Sequence, residues 1–185
     1  MNHLEIEYKT LLEKEEYQSL LPLFADTELV VQTNHYIDTP DQLIRKEKMA
    51  LRVRTFTDQA ELTLKVPEAV GHFEYNQDLS PEETEAILQH QQFPDGEIKN
   101  LLISKEISVE QLAVWGSLTT ERFEKETAAG LVALDHSLYL DTEDYELEIE
   151  VETAEQEENF HQFIKEHGIV YKAAKNKIAR LAERL

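Results

Sequence analysis

The residues of this chain whose types and spacing could do chemistry lie in five short segments. These are Leu4-Glu5-Ile6-Glu7-Tyr8-Lys9, Leu51-Arg52-Val53-Arg54, Leu62-Thr63-Leu64-Lys65, Phe73-Glu74-Tyr75-Asn76 and Glu146-Leu147-Glu148-Ile149-Glu150. Side chains two apart on an extended strand share a face, so each segment lines up like groups on one side. Two carboxylates so placed can share a hard divalent cation, which prefers oxygen ligands. Two arginines so placed repel unless an anion or carboxylates stand opposite, and their forks grip phosphate oxygens bidentately. Lys9 and Lys65 would meet a phosphate as point charges. One such strand, taken alone, is most simply a solvated sheet face with ion pairs to its neighbours. Five of them, some acidic and some cationic, point to a closed sheet whose inner wall holds metal ions and a polyanion together.

The elements that must position these groups follow from the pattern. Residues 2–9, 29–37, 43–45, 48–56, 60–66 and 72–79 read as strands, with a short helix at 13–24. Asp38-Thr39-Pro40-Asp41 reads as a turn. Ser80-Pro81-Glu82-Glu83 starts a helix with a capping box. Asp95 reads as the cap of a second helix through Leu102, and Ser108 as the start of a third that carries Trp115 and ends at Gly116. Strands resume at 117–126, 130–135, 138–141 and 145–152, followed by helices at 155–167 and 176–185. Strands in two batches with helices between and after them predict α+β, and eight or so antiparallel strands can close into a barrel. A single domain over residues 1–185 is expected.

Composition excludes several classes. The chain has 185 residues and no cysteine, so it has no disulfide framework, thiolate metal site or cysteine nucleophile. Acidic residues number 38 against 18 basic ones, a formal net charge of -20 that repels nucleic acid and anionic membranes. No apolar run approaches the ~18 residues of a membrane span, and no apolar signal region precedes the first strand. A soluble, cytoplasmic protein is expected. His161 and His167 lack the spacing of a zinc helix, and His35 and His136 sit near turn residues. His72 shares a strand face with Glu74.

Taken in order, these residues resemble the CYTH superfamily, the triphosphate tunnel metalloenzymes, and within it the YjbK-like proteins of low-GC Gram-positive bacteria. Glu5, Glu7 and Lys9 match its N-terminal Glu-x-Glu-x-Lys, and Gln32 to Thr39 resembles its next strand. Arg52, Arg54, Lys65, Glu74 and Arg122 follow in the family's order. Asp135 resembles its late-strand aspartate, Glu148 and Glu150 its second acidic pair, and Lys175 its C-terminal lysine. Glu146 or Glu152 could replace a member of that pair, and Lys172 or Lys177 could replace Lys175. Relatives often carry arginine where this chain has His72.

The resemblance implies an eight-stranded antiparallel barrel forming a tunnel, a triphosphate-containing small molecule as substrate, and Mg²⁺ or Mn²⁺. Lys9, Arg52, Arg54, Lys65, Arg122 and Lys175 would hold the phosphates. Glu5, Glu7, Glu74, Asp135, Glu148 and Glu150 would bind metal, with Glu5, Glu7 and Lys9 also catalytic. Phosphoryl transfer needs in-line geometry and charge stabilisation more than covalent chemistry. A metal-dependent triphosphatase leads this reading. A class IV-like adenylate cyclase uses the same metals and cations, and a non-catalytic polyphosphate or nucleotide binder uses the cations alone. A monomer or dimer that binds neither nucleic acid duplex nor membrane is expected.

Overall fold

Period-two alternation dominates the chain, and the computed structural model, which describes residues 1–185, turns it into eight strands. They are β1 (His3–Leu12), β2 (Val30–Asp38), β3 (Ala50–Thr55), β4 (Ala60–Pro67), β5 (His72–Leu79), β6 (Ala113–Thr127), β7 (Gly130–Tyr139) and β8 (Thr142–Val151). Six helices accompany them: α1 (Lys14–Leu20), α2 (Leu43–Lys46), α3 (Pro81–His90), α4 (Glu97–Ser104), α5 (Glu157–Glu166) and α6 (Lys177–Ala182). The strands close into an antiparallel barrel in the order β1-β5-β4-β3-β2-β6-β7-β8, as the α+β reading expects. No helix is long and apolar enough to cross a membrane.

The chain divides into two compact units, the first made of Met1–Leu4, Thr33–Ser117 and Leu181–Leu185. There Leu51, Val53, Leu62 and Leu64 are wholly buried and cluster with Ile87 of α3 and Ile98 and Leu102 of α4. Each such side chain contributes about 1.5–3 kcal/mol, whereas an exposed ion pair contributes at most about 1. The apolar contacts therefore decide which face of β3 and β4 turns to the helices. Alternation leaves Arg52, Arg54, Thr63 and Lys65 on the other face, and a one-residue slip would put the guanidinium groups under α3 and α4. The register is fixed, with Arg52 opposite Tyr36 and Thr63, and Lys65 opposite Glu74. Helix α3 begins as its sequence dictates. The Glu83 amide donates to Ser80 Oγ at 3.0 Å, the Ser80 amide donates to Glu83 Oε2 at 2.8 Å, and Pro81 fills the first turn.

The second unit comprises Glu5–Gln32 and Leu118–Arg180. Ile6, Val132, Leu134, Leu147 and Ile149 form its apolar face with Leu20 of α1 and Phe160, Phe163 and Ile164 of α5. Those three α5 residues follow the i, i+3, i+4 spacing of one helix face. The other face carries Glu7 opposite Glu150, Lys9 opposite Glu148, and the run Arg122–Asp135–Glu146 across β6, β7 and β8. Gly130 (φ 132°) opens β7 where a Cβ would come within 2.4 Å of the Glu150 carbonyl oxygen, so the β7–β8 register needs glycine there.

Four expectations differ from the structure. Residues 43–45 are not a strand. The Asp38 carboxylate accepts from the amides of Thr39, Ile44 and Arg45, and Thr39 Oγ1 accepts from the Leu43 amide, so the turn residues wind the short α2. Ser108 starts only one 3₁₀ turn, Val109–Gln111, with no side-chain cap. Trp115 instead lies on β6, stacked on Tyr36 of β2 at 5.8 Å, a pairing worth more to this aromatic, β-prone stretch than a helix. Residues 130–135 and 138–141 are one strand, ended by the turn at Leu140 (φ 54°). Asp95 does not cap α4, whose N-cap is Gly96; it pairs with Lys99.

Candidate active site

The polar face of the second unit is a dense charge network. Asp135 and Glu146 are fully buried and Glu148 nearly so. Arg122 donates from Nε to Asp135 Oδ1 at 2.7 Å and from Nη2 to Asp135 Oδ2 at 2.6 Å, and Nη2 also reaches Glu148 Oε2 at 2.9 Å. Lys177 Nζ lies 2.8 Å from Asp135 Oδ2, 2.6 Å from Glu146 Oε1 and 2.5 Å from Glu148 Oε1. Lys9 Nζ bridges Glu7 Oε1 at 2.9 Å and Glu148 Oε1 at 3.5 Å. Arg180 donates to Glu146 Oε2 and to Asp144, whose Oδ2 also accepts from the Tyr139 hydroxyl at 2.7 Å.

Charge sets the protonation of these groups. Burial would push the Glu148 carboxyl up, but Lys177, Lys9 and Arg122 outweigh it and hold it well below its usual range. Asp135 is held down in the same way by Arg122 and Lys177. Glu146 goes the other way. Burial pushes it up to about 7, Lys177 draws it back only in part, and the charge on Glu148 adds to the rise. Burial would lower Lys9, Lys177 and Arg122, yet their carboxylate neighbours keep all three above their ordinary values.

In the first unit the polar face of β3 and β4 is cationic. Arg54 Nε donates to Asn34 Oδ1 at 2.8 Å, and its Nη1 lies 3.8 Å from Glu61 Oε1. Thr63 Oγ1 donates to Asn76 Oδ1 at 2.7 Å, and Lys65 Nζ is 3.7 Å from Glu74 Oε2. Arg52 is 9% exposed, and its Nε is buried with no hydrogen-bond partner. A buried, unsatisfied charged donor is costly and marks a place where an acceptor is missing.

The CYTH domain family matches residues 3–182. The chain belongs to the CYTH family. It is 37% identical over 183 residues to a Bacillus subtilis (strain 168) protein called "Putative triphosphatase YjbK", a match covering 97% of this chain and 95% of that one. A Bacillus halodurans crystal structure described as a "putative adenylate cyclase" superposes with a TM-score of 0.91 at 37% identity, over 97% of each chain. HpAC1 from Hippeastrum, reported to have a dominant triphosphatase activity, shares the fold with a TM-score of 0.85 at 21% identity, over 98% of this chain and 96% of that one.

The residues that the sequence resemblance singles out fall as follows. Glu7, Lys9, Arg122, Asp135 and Glu148 come together in the second unit, with Glu5 two residues before Glu7 on the same strand face. Arg52, Arg54, Lys65 and Glu74 lie on one sheet face of the first unit. The acid that joins Glu148 in the buried trio is Glu146, while Glu150 stands opposite Glu7 at partial exposure. The lysine in the trio is Lys177. Lys175 offers its backbone carbonyl to Arg180. Glu146 and Lys177 are the alternatives that the sequence leaves open for the acidic pair and for the C-terminal lysine, and sequence reasoning missed only Arg180. The strand expected at 145–152 puts Glu146 next to its start, whereas β8 starts at Thr142 and places it mid-strand. Lys177 and Arg180 are three apart, hence neighbours on a helix face, and that spacing was the available signal.

Ligand atoms of Asp135, Glu146 and Glu148 lie within 4.8 Å of one another. An all-carboxylate donor set suits a hard divalent cation by its chemistry. Its arrangement does not yet suit one, because every oxygen of the trio already faces an ammonium or guanidinium of the protein.

Proposed function

We propose that this chain is a metal-dependent hydrolase of triphosphates, cleaving a phosphoric anhydride of inorganic tripolyphosphate, a nucleoside triphosphate or thiamine triphosphate. The observation that carries the reading is Arg52, a buried guanidinium whose Nε lacks a partner, on one face with Arg54, Thr63 and Lys65. That face asks for an anion with several oxygens spaced along it. A net charge of -20 keeps polyanions off the general surface, so binding must depend on such locally concentrated cations. Arg52, Arg54 and Lys65 in the first unit, and Lys9 and Arg122 in the second, are assigned to phosphate oxygens. Glu5, Glu7, Glu148 and Glu150, assisted by Glu74 and Asp135, are assigned to Mg²⁺ or Mn²⁺. A divalent cation held by these carboxylates would supply charge neutralisation for the phosphate and a lowered pKa for an attacking water. The kinship with a protein named as a triphosphatase supports the hydrolytic reading.

A second reading, nucleotidyl cyclisation, is supported by the Bacillus halodurans relative named for it. The two separate by product. The wild type and Glu148→Gln are incubated with tripolyphosphate, ATP and thiamine triphosphate in Mg²⁺ and then Mn²⁺. Orthophosphate released by the wild type and lost in the variant is expected. Cyclic AMP with pyrophosphate from ATP, and no orthophosphate, would replace hydrolysis by cyclisation.

A further inference from the structure

Two of the carboxylates assigned to a metal, Asp135 and Glu148, together with Glu146 beside them, are ones this chain has closed with its own cations. Asp135, Glu146 and Glu148 offer six oxygens, and each has a cationic partner. Arg122 takes both oxygens of Asp135 and one of Glu148, and Arg180 takes one of Glu146. Lys177 alone touches all three residues, at 2.5–2.8 Å, the position a shared cation takes. Its placement is built in. It is the first residue of α6, whose start is tied down by the Ala179 amide donating to Asn176 Oδ1 at 2.9 Å and by Arg180 donating to the Lys175 carbonyl.

We propose that Lys177 is an internal counter-cation that excludes the divalent metal from this trio until a triphosphate draws the ammonium away. The inference rests on the reading that these carboxylates take a metal for phosphate chemistry. An ammonium is a point charge on a flexible four-carbon stem, so it can leave the trio for a phosphate oxygen without unfolding a rigid fork. In this scheme the metal alone meets carboxylates already neutralised, and the phosphate alone meets cations already neutralised. Each ligand frees partners for the other, so the two bind with positive coupling that is equal in both directions.

Mn²⁺ titration of the metal-free chain by electron paramagnetic resonance, without phosphate, tests this in the wild type and Lys177→Met. The variant is expected to bind Mn²⁺ about tenfold tighter or more, since one positive charge has left the trio. It is also expected to gain more thermal stability from Mn²⁺ than the wild type does. Equal affinities, weaker binding in the variant, or no binding by either would overturn the proposal. Should Lys177→Met not fold, the ammonium ¹H–¹⁵N signal of Lys177 is followed in the wild type, assigned with Lys177→Arg. It is expected to shift or vanish on adding Mg²⁺ with tripolyphosphate, and an unchanged signal would overturn the proposal. A chain that shows the Mn²⁺ gain but releases no phosphate loses the hydrolase reading and keeps the exclusion. A chain that releases phosphate without the gain does the reverse.

Discussion

Replacing Arg52 by methionine separates binding from folding. The guanidinium is 9% exposed and its buried Nε has no partner, so the ligand-free fold carries the desolvation of an unmatched donor. Leaving a buried donor unsatisfied costs about 1–3 kcal/mol. Methionine keeps the length and apolar contact of the stem while removing that donor. The ligand-free variant should therefore be as stable as the wild type, or more stable by up to about 1–3 kcal/mol. At about 2–4 °C per kcal/mol for a chain of this size, its Tm rises by at most about 12 °C. Tripolyphosphate binding moves the other way. A hydrogen bond to a charged group contributes about 1.5–3 kcal/mol, so its loss weakens Kd by about 10- to 150-fold. Urea unfolding without ligand and calorimetric titration with tripolyphosphate read the two quantities. A ligand-free loss of about 2 kcal/mol or more with unchanged affinity would refute the reasoning, because Arg52 would then be a structural residue.

Three further outcomes are expected. Arg122→Gln strips the bidentate partner from the fully buried Asp135 and should cost about 3–5 kcal/mol, toward the lower end because Lys177 remains; a urea-unfolding change within 0.5 kcal/mol, typical of surface sites, would contradict this. In the folded metal-free chain Glu146 keeps its proton up to about pH 7, whereas the unfolded chain releases it near 4.5. The folded state thus binds the extra proton, and this group makes stability fall as pH rises through that window. Glu146→Gln should flatten the slope, and identical urea midpoints against pH in both proteins would contradict the assignment. Ser80→Ala removes the Oγ acceptor of the α3 cap and should cost about 0.5–2 kcal/mol by thermal unfolding, with tripolyphosphate affinity unchanged.

Much of this was legible in the sequence because period-two alternation is unambiguous when one face is Leu-Val-Leu-Leu and the other Arg-Arg-Thr-Lys. The α3 start was equally legible, since Ser80, Pro81 and Glu83 specify a cap locally. What failed was non-local. Asp38 organises amides as far along the chain as Arg45, which no window centred on residues 43–45 contains. Trp115 takes strand geometry because Tyr36, far away in the chain, stacks on it. The site was half legible for the same reason. Glu5, Glu7 and Lys9 are local, whereas which acid lies beside Asp135 and Glu148, and which C-terminal lysine reaches them, are decided by strand register and by where the last helix begins.

The central claim is that this charge pattern hydrolyses a triphosphate, and ³¹P spectra of tripolyphosphate incubated with the full chain test it most directly. With Mg²⁺ or Mn²⁺ the tripolyphosphate should convert to pyrophosphate and orthophosphate over many turnovers. Conversion should stop on chelation, and it should be absent in Glu5→Gln/Glu7→Gln at unchanged thermal stability. Tripolyphosphate that survives intact with either metal, or that is cleaved equally by the double variant, would contradict the account.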